Sequence, residues 1–356
     1  MRTAIIFVLI ISGCGDESTL TTHEKNMGLT LSTAVPIADP YRQTYPKDDA
    51  NDNYARSIWD MQAYDGRVYI GSGDLVYNRG PVQVWSFTES GGAVDFQKEI
   101  LVDEEEVARF RVSGGKLLIP GLDSKESWDW GNFYYKENGA WTKKRTVPNG
   151  LHVWDVAVLG DELFASVTTQ AGYSTLRSKD FGNTWSVLGP PPAATGIMAS
   201  VDDKLFIFTW MKLYVLQGGQ VSDFQRIHAN PDRTESFKGG ALYANSSICP
   251  LSPLYYLPNP AAIEQKIHFG PSSVVDVIVN GNTVYVLTAE QKQGRKQYAG
   301  RIFSSSDLAN WNKEAEFAVS AMPLSFEMLN GTFYVGLGSD SFLFANADSG
   351  LIVKIQ

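Results

Sequence analysis

Four charged residues recur at one position of a repeated phrase. Asp60, Arg109, Asp155 and Asp276 each stand five residues ahead of a pair of turn residues, Asp65-Gly66, Gly114-Gly115, Gly160-Asp161 and Gly281-Asn282. Ile197, Thr234 and Ser325 hold the same place before Asp202-Asp203, Gly239-Gly240 and Asn330-Gly331. Three aspartates and an arginine at one repeat position is more charge than core-facing strands normally carry. Arg56, Trp59, Arg111, His152 and Trp154 lie close by in sequence. Two kinds of chemistry suit such a set. Acids and arginines can pair across a wet channel, since buried charges persist when paired. Alternatively, convergent charges beside aromatic surfaces orient a polar ligand.

Other chemistries find less support. His23, His152, His228 and His268 show no zinc spacing, and no metal or other cofactor is expected. Asp103-Glu104-Glu105-Glu106 reads as a solvated loop, with calcium as the lesser alternative. No phosphate-cradling glycine loop precedes a helical pattern, and no G-x-S-x-G turn occurs.

The elements that must position these residues are strands. Each turn pair is followed, after two residues, by a large apolar anchor: Tyr69, Leu118, Phe164, Phe206, Tyr243, Tyr285 and Tyr334. Asp-Gly, Gly-Gly and Asn-Gly between apolar runs signal tight hairpins, because such turns need positive φ. The anchors recur every 37 to 49 residues, the spacing of propeller blades. The expected fold is therefore all-β, a β-propeller of seven four-stranded blades. The phrase around Tyr243 alternates least, so six or eight blades stay open. Each phrase would be the turn between a blade's innermost and second strands. Between Pro120 and Tyr135, Trp128 and Trp130 sit in a loop-like insertion. They either plug the gap between blades or stack on a sugar or protein partner.

A second signature marks another hairpin. Ser178-Lys179-Asp180-Phe181-Gly182-Asn183-Thr184-Trp185 matches S-x-D-x-G-x-T-W at every defined position. Ser305 to Trp311 is a shortened version and Glu137 to Trp141 a reduced one. On these residues the chain resembles the Asp-box (BNR-repeat) propellers, the superfamily that includes sialidases. The resemblance spans most of the chain after about Tyr54. It implies that the box joins outer strands, away from the axis, and that Ser178, Asp180, Gly182, Thr184 and Trp185 are structural. Sialidase chemistry would further need three arginines for a carboxylate, a tyrosine nucleophile with its glutamate, and an acid. Arg56, Arg109 and Arg111 would be the arginines, from only two adjacent blades. The Arg-Ile-Pro element of sialidases is absent, and Phe110-Arg111-Val112 is a distant echo.

The N-terminus reads as a targeting segment. Arg2 precedes an apolar run, Ile5 to Ile11, too short to span a bilayer. The run ends at Ile11-Ser12-Gly13-Cys14, which resembles the lipobox of bacterial lipoproteins and implies a lipid on Cys14. Cys249 is the only other cysteine, so a lipidated Cys14 leaves no intramolecular disulfide. The expected organisation is a signal peptide over 1–14, a polar tether over 15–53 and the propeller over 54–356. A net charge of −9 repels a phosphate backbone, which argues against nucleic acid. The expected function is a cell-envelope lipoprotein, held at a membrane by its lipid, whose propeller binds a protein or glycan without catalysis. A sialidase-like glycoside hydrolase and an envelope assembly scaffold are the alternatives. The membrane leaflet stays open.

Overall fold

The computed structural model describes residues 31–189, 196–210, 212–227, 231–245, 251–292, 297–339 and 346–356, and the backbone of 19–20 and 23–25. The chain forms seven four-stranded antiparallel blades arranged in a ring, each running from the axis outward. Blade 1 is Asp60–Tyr64, Arg67–Gly71, Val82–Ser90 and Ala93–Val102. Blade 2 is Arg111–Ser113, Lys116–Pro120, Trp130–Glu137 and Ala140–Pro148. Blade 3 is Gly150–Leu159, Glu162–Thr169, Gly172–Ser178 and Ser186–Leu188. Blade 4 is Ile197–Val201, Lys204–Thr209, Lys212–Gln217 and Gln220–Arg226. Blade 5 is Arg233–Phe237, Gly240–Ala244, Leu254–Leu257 and Gln265–Ile267. Blade 6 is Ser273–Asn280, Thr283–Gln291, Tyr298–Ser305 and Asn310–Val319.

Blade 7 closes the ring. Met322–Leu329, Thr332–Gly338 and Ile352–Ile355 supply three strands from the C-terminal end. The fourth is Ala34–Ala38, antiparallel to Ile352–Ile355. A segment from the N-terminal part of the chain and the C-terminal strand therefore share one sheet. This corrects the expected boundary at residue 54. Residues 34–53 are part of the folded unit: Tyr41 and Tyr45 are buried, and Asp49 caps a helix, Ala50–Ala55. The strand is short and carries Pro36, which only an edge position tolerates, so its sequence reads as tether. Cys14 and Cys249 lie outside the described residues.

The hairpin phrases form as their residues demand. Asp65 and Gly66 have φ of 49° and 73°, and Asn330 and Gly331 of 51° and 80°, which lets two residues reverse the chain with the twist of the strands. The fifth turn is displaced by one residue. It is made by Lys238 and Gly239, at φ of 48° and 73°, not by Gly239-Gly240. A one-residue slip moves every side chain to the other face. Arg233 therefore takes the place assigned to Thr234. The core lies between neighbouring blades, for example Leu118 and Phe133 against Val153 and Val156, and Phe208 against Tyr243.

Candidate functional site at the channel mouth

Asp60 opens its inner strand, Asp155 and Asp276 lie within theirs just after a register shift, and each reaches sideways to the next blade. Asp60 Oδ2 accepts the Phe110 N–H at 2.5 Å, Asp155 Oδ2 the Met198 N–H at 2.7 Å, and Asp276 Oδ2 the Phe326 N–H at 2.9 Å. A blade's inner edge leaves backbone groups without a ladder partner, and buried N–H groups need one. The repeated acid supplies it. Ser325 reaches the next blade with opposite polarity, donating to Ile58 O, whereas Thr234 reaches back to Met198 O of blade 4, at 2.9 Å each.

Three arginines cross the channel between these acids. Arg111 makes a two-pronged bond to Asp155, at 2.9 and 2.7 Å, and reaches Thr234 of blade 5 at 3.2 Å. Arg233 donates to Asp276 at 3.1 Å and to Trp59 O at 2.6 Å. Burial works against the Arg233 cation, but the charges of Asp276, Asp232 and Asp60 hold it above its usual range. Arg109 differs. Its guanidinium donates to Trp154 O at 3.2 Å and to Asp232 O, and among the described residues it has no carboxylate within ion-pair distance. Burial lowers its pKa, and Arg111 and Arg233 push the same way against the opposing charges of Asp155 and Asp60. Glu235 lies near Arg111, with its carboxyl pushed up to about 7 by burial.

Of the residues expected at the axis, Asp60, Arg109, Arg111, Asp155 and Asp276 come together. Arg56 does not. It is fully buried beneath the N-terminal segment, donating to Tyr45 O at 3.1 Å, Ala347 O at 3.2 Å and the side chain of Asn53. It pins residues 45–53 to blade 7, and Arg233 stands in the arginine trio instead. Trp59 sends its indole N–H to Gly73 O at 2.8 Å, and Trp154 its own to Thr168 Oγ1 at 2.7 Å, so both rings lie along the rim. His152 packs against Trp154 at 5.4 Å, with Nδ1 unpartnered, and burial lowers its pKa. Trp128 and Trp130 are 38% and 45% exposed, and Trp130 opens the third strand of blade 2 rather than lying in a loop.

The acidic run also departs from expectation. Glu104–Glu106 is a buried strand, not a solvated loop. It pairs with Leu122–Ser124 and bridges to Gly73, extending the blade 3 sheet across the mouth. Glu104 accepts from Asn132 Nδ2 at 2.7 Å and Tyr134 Oη at 2.9 Å. Burial pushes Glu104 and Glu105 up to about 7 and Glu106 up to about 8. Among the described residues no group of three or more His, Cys, Asp or Glu is placed to hold a metal ion.

At the outer hairpin of blade 3, the Ser178–Trp185 turn bonds to itself. Asp180 Oδ1 accepts the Thr184 N–H at 2.8 Å, and Oδ2 the Thr184 hydroxyl at 2.7 Å. Ser178 Oγ accepts the Gly182 N–H at 2.7 Å. Gly182 has φ of 79°, and a Cβ there would lie 2.4 Å from Phe133 Cζ of blade 2. Trp185 meets the same Phe133 edge-on.

No family model and no curated protein matches the chain. The fold has solved counterparts. The chain is similar to YCF48 bound to D1 peptide, at 12% identity and a TM-score of 0.51, over 92% of this chain and 97% of that one. It is similar to the β-propeller domain of the Trilobed protease from Pyrococcus furiosus, at 10% identity and 0.52, over 85% and 94%. It is also similar to the Niastella koreensis GH74 enzyme, at 13% identity and 0.53, over 83% of this chain and 53% of that one. The chain is a seven-bladed β-propeller. These likenesses extend to the fold alone, and the three neighbours do different things with it.

Proposed function

We propose that this propeller is a non-catalytic binding module of the bacterial cell envelope, anchored through a lipid on Cys14, and that its channel mouth takes a carboxylate of a protein ligand. The observation that carries the reading is Arg109. Arg111 and Arg233 are spent on Asp155 and Asp276, and the three aspartates are spent on backbone N–H groups. Arg109 alone of the three arginines has only carbonyl partners. Its planar fork matches a carboxylate. The half-buried Trp59 and Trp154 rim the site with apolar surface that suits a peptide. YCF48, solved with a D1 peptide, is a propeller of this size that holds a peptide, and we carry that mode over.

The test is a peptide library with free or amidated C-termini, run beside a glycan array. Free-carboxylate peptides should bind the wild type and lose binding on Arg109→Gln. Equal binding of both termini, or retention by the variant, overturns the carboxylate reading. The sialidase-like alternative keeps one observation in its favour, since Arg109, Arg111 and Arg233 do gather and Glu235 lies near Arg111. Release of sialic acid from a sialoside by the wild type would establish it. The anchor is tested by Cys14→Ala, which should free the protein from detergent-extractable membranes.

A further inference from the structure

The N-terminal segment does more than close blade 7. Thr19–Leu20 lies parallel to Gln265–Ile267, the outer strand of blade 5, with Thr19 opposite Lys266 and Leu20 opposite Ile267. His23–Lys25 lies parallel to the start of Asn310–Val319, the outer strand of blade 6, with His23 opposite Asn310. The chain is thus fastened in turn to blades 5, 6 and 7 before it enters blade 1. Fastening shortens its reach. Held from Ala34 alone, Cys14 could stray about 70 Å along an extended chain. Held from Thr19, it stays within about 17 Å of the blade 5 rim.

The direction of the pairing says where on that rim. Parallel strands begin at the same end, and Gln265–Ile267 begins at the turn that closes the outer hairpin of blade 5. The chain before Thr19 therefore leaves the rim at that turn. Strands alternate in direction within the blade and inner strands start at the mouth, so the turn lies at the end remote from the mouth.

This turn is unlike its counterparts. The outer hairpins of blades 1, 2 and 4 turn on Gly91-Gly92, Asn138-Gly139 and Gly218-Gly219, and those of blades 3 and 6 on the polar boxes after Ser178 and Ser305. Blade 5 instead reads Pro258-Asn259-Pro260-Ala261-Ala262-Ile263, without a charge. Ile263 is 83% exposed, more than any other large hydrophobic side chain among the described residues. Glu264 turns inward to accept from the Tyr243 hydroxyl. Polar groups of the turn are met from within the protein. Asn259 accepts the Ala261 N–H through its side chain at 3.0 Å and the Ala262 N–H through its carbonyl at 3.1 Å. Gln225 of blade 4 donates to Pro260 O and Ala262 O at 3.1 and 2.9 Å. An uncharged turn with bonded backbone groups can leave water at small cost, because what a polar group loses on leaving water is its hydrogen bonds.

We propose that turn 258–263 is a membrane contact, seated with Ile263 in the interface of the bilayer that holds the lipid of Cys14, so that the propeller stands on its blade 5 rim with the mouth turned away from the bilayer. This rests on the lipid-anchor reading. The short chain between Cys14 and Thr19 brings lipid and turn to one patch of membrane. A single acyl chain binds membranes only marginally, and a second apolar contact adds to it.

The test uses the processed, acylated protein in phosphatidylcholine vesicles containing doxyl-labelled lipid as quencher. In a Cys249→Ala background, a polarity-sensitive fluorophore is placed by Ala261→Cys or, as control, by Asp129→Cys in the loop between the second and third strands of blade 2, on the mouth side. The label at position 261 should shift to the blue and lose most of its emission to the quencher, and the label at 129 should do neither. Adding Ile263→Asp should reduce the quenching at 261 several-fold without lowering the melting temperature, because the side chain is exposed. Intact mass reports the acyl group independently. An acylated protein whose label at 261 is quenched no more than that at 129 overturns the placement and leaves the anchor standing. A protein without acyl mass overturns both. A blue shift at 261 without quenching assigns the turn to a partner protein or a second copy, and overturns the membrane contact.

Discussion

Arg109 and Arg111 stand two residues apart on the approach to blade 2 and do opposite things with their charge. Arg111 neutralises Asp155, which is fully buried. Removing one partner of a buried pair strands the other, at about 3–5 kcal/mol. Arg111→Gln should therefore destabilise strongly in denaturant unfolding. Arg109→Gln removes two bonds to carbonyls near the open mouth and relieves repulsion from Arg111 and Arg233. It should cost less than about 1 kcal/mol. Equal losses for the two variants would make Arg109 a structural crossbar and undercut its assignment to a ligand. The acid ring itself belongs to the fold, because each aspartate satisfies a neighbouring blade.

Two elements carry stability away from the axis. The Ser178–Trp185 turn is held by Asp180, whose carboxyl the Thr184 N–H and hydroxyl pull down to about 2. That contribution is present above the ordinary carboxylate range and fades as pH falls toward 2. Asp180→Ala should lower the melting temperature at neutral pH, and this deficit should shrink in acid. Gly182→Ala adds backbone strain at φ of 79° and a clash with Phe133, so it should cost about 2–3 kcal/mol. A cost from Gly182→Ala no larger than that of an exposed loop mutation would show that the turn does not press on blade 2. The second element is Ala34–Ala38. Deleting residues 1–18 should leave melting nearly unchanged. Deleting 1–38 opens blade 7 and exposes the edge of Ile352–Ile355, and should bring early, broad unfolding and aggregation.

The whole ring has a pH preference written into its mouth. Glu104, Glu105, Glu235 and Glu327 are pushed up to about 7 by burial, and Glu106 to about 8. A carboxyl whose folded pKa is raised binds protons that the unfolded chain releases. Its stability is full below the ordinary carboxylate range and is lost as pH rises through 7 to 8. The midpoint of urea unfolding should therefore be higher at pH 5.5 than at pH 8.5. Glu106→Gln should flatten that slope. A midpoint that rises with pH would mean these acids are ionised in the folded chain.

The sequence by itself determined the ring. Seven tight turns, each followed by an apolar anchor at fixed spacing, leave an all-β chain few ways to bury its faces, because turn chemistry and period-two patterning are local. It also placed charge at the axis, since Asp60, Asp155 and Asp276 recur at one register position. Tertiary structure decided the rest. Lys238 and Gly239 compete with Gly239-Gly240 for one turn, and only the packing of blade 5 selects the register that brings in Arg233. Arg56 neighbours Asp60 in sequence, yet it turns under the N-terminal segment because Ala34–Ala38 must return to close blade 7. Glu104–Glu106 looks like a solvated loop until Leu122–Ser124 and Gly73 offer it backbone partners. Turn 258–263 and Thr19–Leu20 carry no pattern that joins them, because their meeting depends on a pairing between segments distant along the chain.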